Sequence, residues 1–219
     1  MTAATNPPTR PPRDKERIFA NTREMLTMAQ RGLADCLGSE PQRRRPGLMN
    51  LFTYGRSVTM AMQTMKHADP SFADWWAPLQ ARMARDPLMC FFNETRTGVV
   101  HEGELATQNH TVIGANGPID LCAVARELSQ LAPPNTVGTF FGDHLGGNGW
   151  RVKMPDGNIE SVYVQLPDTV DIHSTLLLEN PPTEHYGTFI TDTSVANLGH
   201  IYCTTLAGMV EEFIKRFTE

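Results

Sequence analysis

The chain has 219 residues, 40% of them apolar and 20% charged, and a net charge of −5. This length can bury a sizeable core without a disulfide or metal staple, and the composition excludes a collagen-like, low-complexity or disulfide-scaffold protein. No apolar run reaches the roughly 18 residues that a membrane span needs, and the acidic balance argues against a non-specific binder of duplex DNA.

Residues 1–13 are proline-rich and polar and read as a disordered tail. They lack the apolar core of a secretory signal, so the expected location is the cytoplasm, with no membrane association. The four cysteines, Cys36, Cys90, Cys122 and Cys203, form no CxxC pair and read as reduced thiols.

From Asp14 to about Leu37, apolar residues recur at three- and four-residue steps (Ile18, Met25, Leu26, Ala29, Leu33), which predicts a helix closed by Gly38. Residues 38–46, GSEPQRRRP, read as a loop. Residues 1–50 hold nine Arg and Lys against five Asp and Glu, and this excess centres on Arg43, Arg44 and Arg45. Those three are either a solvated patch or a rim that attracts phosphates and RNA.

A second helix is predicted from about Leu48 to Lys66. Arg56 sits among its apolar positions, either snorkelling to solvent or facing a phosphate-binding cleft. Asp69-Pro70 and Asp86-Pro87 each pair a capping residue with a helix-initiating proline. They open a third helix to about Arg85, bent at Pro78, and a fourth to about Gly103. Trp75 and Trp76, on the third, are expected in the core.

Residues 104–115 then read as extended, and Pro118 to about Leu131 as a short helix. Strand signals follow over 136–190. Trp150, Val152 and Met154 alternate with polar residues, as do Val162, Val164 and Leu166, with the turn Pro155-Asp156-Gly157-Asn158 between them. The glycine-rich Gly142–Gly149 stretch lacks the Lys-Ser/Thr ending of a phosphate loop and reads as a turn. Ser174–Glu179 adds a strand, and Ser194–Phe217 forms a long amphipathic helix. The expected architecture is mainly α. It is a single domain over 14–219, a bundle of about five helices with a small antiparallel β insertion at about 136–190 before the last helix.

The chemistry-bearing segment is Arg96-Thr97-Gly98-Val99-Val100-His101, late on the predicted fourth helix. It resembles the Arg-x4–6-His motif of HEPN domains, which are small helical bundles. The resemblance covers the helical parts and leaves the β segment outside. It implies a metal-independent endoribonuclease that needs no cofactor, acts as a homodimer on RNA, and serves in some members as a toxin or defence effector. A neutral histidine can take the proton of an RNA 2′-hydroxyl, and an arginine can hold the scissile phosphate. On an ideal helix a five-residue step sets Arg96 and His101 about 140° apart, and a second copy of the motif across a two-fold axis would close that gap. Two alternatives stay open. His101 can cap the end of its helix while Arg96 pairs with Glu94 or Glu102. The chain is then a non-catalytic HEPN-like module that recognises a nucleotide or a protein partner, or an assembly protein. The remaining histidines are scattered, and no metal site is expected.

Overall fold

The computed structural model describes residues 14–101, 107–114, 117–166 and 172–218, without the side chains of Val100, His101 and residues 173–175. The expected tail at residues 1–13 lies outside the described residues.

Helix α1 (Lys15–Leu37) starts where the sequence predicts. Asp14 caps it by accepting the Glu16 amide, and Gly38 ends it. Helix α2 (Pro41–Gln63) starts earlier than expected, because Pro41 at its first turn carries a helix-ready backbone angle. Residues 41–46 are thus helix rather than loop, and Arg43, Arg44 and Arg45 ride on its first turns. The two helices touch through glycines. A Cβ added to Gly32 would lie 2.6 Å from the Gly47 carbonyl, and one on Gly47 would meet the Gly32 carbonyl at the same distance.

A 3-10 turn (Thr64–His67) leads to α3 (Phe72–Met83), which carries Pro78 within it. Asp69 accepts the Ser71 amide and the Lys15 ammonium. Helix α4 (Pro87–His101) follows, and the chain closes with α6 (Val195–Thr218). The core of this bundle includes Phe19, Leu48, Phe52, Phe72, Phe92 and Phe213. Trp76 is buried in it. Trp75 is half-buried against it and points its indole N–H at Glu212.

The β part begins ahead of the expected 136–190 insertion, within the residues 104–115 that read as extended. Strand β1 (Thr107–Ile113) pairs antiparallel with β5 (Ile172–Leu178), Thr107 opposite Leu178, and Leu178 seals into the helical core. Helix α5 (Leu121–Gln130) covers a second sheet of β2 (Thr136–Phe140), β3 (Asn148–Lys153) and β4 (Ile159–Val164) in that order. Trp150 sits opposite Val162, as the predicted hairpin requires. It joins Val152 and Leu128 in a small separate core, where its N–H bonds the Leu128 carbonyl. A clip of β6 (Glu184–His185) and β7 (Thr188–Phe189) precedes α6. The fold is therefore mainly α, with small antiparallel sheets before the last helix. No helix among the described residues is long and apolar enough to cross a membrane.

Candidate functional site

Helices α2 and α4 are the frame of the candidate site, and they pack against each other. Phe52 of α2 meets Phe92 of α4 with ring centroids 5.0 Å apart, while Gln63, later on α2, shares a cavity with Met89, earlier on α4.

Arg96 is half-buried on α4. Its Nε is buried and meets no hydrogen-bond acceptor among the described residues. An unsatisfied buried donor costs about 1–3 kcal/mol, so a guanidinium held this way is an unspent binding group. Glu94, one of its expected structural partners, makes no ion pair with it among the described residues. The other, Glu102, lies outside the described residues, as does the His101 side chain, although the His101 backbone closes α4.

The other arginines divide into two groups. Arg43 pairs with Asp35 at 3.0 Å, and Arg44 donates to the carbonyls of Leu145 and Gly146 at 3.0 and 2.8 Å, fastening α2 to the β2–β3 turn. Part of the basic charge is therefore spent within the fold. Arg56 stands 11 to 13 residues further along α2, roughly 17–20 Å along the helix axis at 1.5 Å per residue. It does not join the basic turn.

Arg56 instead lines a half-open cavity of about 200 Å³ between α2, α3, α4 and α6. Its Nη1 donates to Thr59 at 2.8 Å. Gln63, Gln80 and Asn93 supply amides to the cavity wall, and Trp76 and Tyr202 supply rings. Burial raises the pKa of the Tyr202 hydroxyl far above its usual range, so it stays a neutral donor and acceptor. The Cys90 thiol is raised by burial, then by the nearby Glu94 and Asp86 carboxylates. None of the described residues lining the cavity is acidic, so the Arg56 charge meets no carboxylate there. On an ideal helix Arg96 lies about 20° in azimuth from Met89 and 60° from Asn93, so its Cβ leaves α4 on the cavity side.

A second polar cluster escaped the sequence reading. Asp86, 2% exposed, caps α4 by accepting the Met89 amide at 2.8 Å, and its other oxygen accepts the Tyr186 amide at 2.6 Å. His185 Nδ1 lies 3.0 Å from Asp86, and its Nε2 lies 2.8 Å from the Thr205 hydroxyl. A carboxylate can only accept, so Nδ1 donates to Asp86, and Nε2 shares a hydrogen bond with the Thr205 hydroxyl. Tyr186 takes φ = +45°, a strained angle for an aromatic residue, and Arg82 sits 5.0 Å over its ring. These bonds pin the β6–β7 clip to α4 and α6. In the sequence Asp86 was visible only as a cap, and nothing tied it to His185, 99 residues on.

Among the described residues no three His, Cys, Asp or Glu side chains gather to hold a metal ion. The model of one protein family, described as bacteriophage lambda protein ea47, matches residues 33–116. The match spans α2, α3 and α4 with β1, and so includes the Arg96–His101 segment and most of the cavity wall, but not α6. No curated protein and no solved structure matches the chain.

Proposed function

We propose that this protein is a metal-independent endoribonuclease of HEPN type that works as a homodimer on RNA. The observation that carries this reading is Arg96, half-buried on α4 with its Nε meeting no acceptor among the described residues, five residues before His101 on the same helix. A structural arginine at such a position would have its buried donor satisfied; one that awaits a phosphate would not.

In this reading Arg96 holds the scissile phosphate and offsets the charge that builds on it. His101 takes the proton from the neighbouring 2′-hydroxyl. That oxygen attacks phosphorus, the bond to the 5′-oxygen of the next nucleotide breaks, and the leaving oxygen is protonated. The products are a 2′,3′-cyclic phosphate and a 5′-hydroxyl. The second subunit supplies the opposing motif, which closes the 140° separation better than the length of one arginine does. A role as toxin or defence effector belongs to the same proposal, as does cytoplasmic action.

The test is cleavage of mixed cellular RNA in excess EDTA by wild type, His101→Ala and Arg96→Ala. The reading expects cleavage by wild type alone, with both variants keeping the wild-type circular dichroism. Equal absence of cleavage at high concentration would leave the alternative, a non-catalytic module that recognises a nucleotide or a protein partner.

A further inference from the structure

We infer that the cavity between α2, α3, α4 and α6 is a nucleobase pocket, which receives one unstacked base of the RNA whose phosphate Arg96 holds. The inference rests on the ribonuclease reading for its substrate but on separate observations for its geometry.

Size comes first. The cavity is about 200 Å³. An apolar cavity of roughly 150 Å³ takes up benzene, so this one admits a single base and not a dinucleotide. Its chemistry comes second. Single-stranded RNA is read by rings that stack on a base and by side chains that bond its polar edge. Trp76 gives the cavity an indole, held by Phe72 stacked on it at 5.6 Å and 17°. Gln63, Gln80 and Asn93 bring three amides, each able to donate and accept. Arg56 brings a guanidinium with no carboxylate on the wall, suited to a base carbonyl. A purely apolar ligand would leave these groups unpaired, and a cationic one would meet Arg56 with no acid to offset it.

Position comes third. Asn93 is at the cavity edge, and Arg96 is three residues later on α4, roughly 4.5 Å along the axis. One ribose bridges such a step, so a base in the cavity sets its own phosphate beside Arg96.

The experiment uses full-length His101→Ala, which separates binding from cleavage, and titrates 5′-AMP, CMP, GMP and UMP by calorimetry. Ribose 5-phosphate and inorganic phosphate are the probes without a base. At least one nucleotide should bind ten-fold or more tighter than ribose 5-phosphate. Asn93→Ala and Gln80→Ala, both at exposed helix positions that leave folding intact, should each weaken it several-fold, and Arg56→Gln more. Nucleotides that bind no better than ribose 5-phosphate, or binding that all three variants leave unchanged, would overturn the pocket. The two readings fail separately. RNA cleavage without selective nucleotide binding removes the pocket alone, and nucleotide binding without cleavage by wild type removes the nuclease alone.

Discussion

The Tyr202 ring occupies the space where Gly55 lacks a side chain. A Cβ on Gly55 would overlap the ring carbon Cε1, and the same ring stacks on Phe92 at a centroid distance of 4.0 Å. One tyrosine thus ties α2, α4 and α6 together beside the cavity. Gly55→Ala should destabilise the protein by about 1–3 kcal/mol, the usual cost of overpacking a core. Gly199→Ala should cost less, because the atom it meets at 2.6 Å is the flexible end of Leu33. Urea unfolding of the two variants checks the order, and a neutral Gly55→Ala would contradict the packing.

The Asp86 cluster yields a second prediction. Asp86→Ala removes the cap of α4 and leaves the Tyr186 amide unpaired, a combined loss of about 2–4 kcal/mol. Thr205→Val removes a single hydroxyl and should cost roughly 1 kcal/mol. Chemical denaturation measures both. If Thr205→Val matched wild type, His185 would not be holding the clip through α6.

The β2–β3 turn should respond to pH at both extremes. Burial pushes the Asp143 pKa up, but the Tyr163 hydroxyl and the Gly147 and Leu145 amides outweigh it and hold the carboxyl below its ordinary range. Its contribution is present above the unfolded value near 4 and is lost as pH falls below that. Burial and the Asp143 carboxylate push Tyr163 up to about 12, so folding favours its neutral form and stability falls as pH rises past about 10. Tyr163→Phe should be less stable at neutral pH and flatter at both ends. Hydrogen exchange of the residue 142–149 amides against pH reads this out, and an unchanged profile would count against the bond.

Thiol reactivity gives a fourth. Burial pushes Cys36 and Cys203 each up to about 11, with Arg44 pulling Cys36 back slightly, while Cys122 is exposed. At pH 8 iodoacetamide should label Cys122 first and leave Cys36 and Cys203 unmodified until the protein unfolds. Peptide mass spectrometry after timed labelling settles the order.

The helices were legible where local chemistry fixed them. Asp14, Gly38, Asp86-Pro87 and the α6 stripe each carry their own signal, and so does the β3–β4 hairpin with its Asp156-Gly157 turn. The start of α2 was not, because Pro41 within a polar stretch reads equally as a loop breaker and as the first residue of a helix. The β1–β5 pairing joins segments about 65 residues apart, and the polar Thr107-Gln108-Asn109-His110 has no alternation to mark a buried face. At the candidate site, Arg96 and His101 stood out only through their resemblance to a HEPN motif. Arg56 stood out as a charge amid apolar residues, but Gln63, Gln80 and Asn93 are ordinary surface residues until four helices bring them round one cavity.

The central claim is that the RNA supplies its own nucleophile while Arg96 and His101 manage charge and proton. The most direct measurement uses a short RNA that wild type cuts at one mapped position, compared with the same strand carrying a single 2′-deoxy sugar there. In EDTA the first strand should end in a 2′,3′-cyclic phosphate, and the second should show no cut at that position. Cleavage of the deoxy strand at the same place, or cleavage that survives His101→Ala, would contradict it.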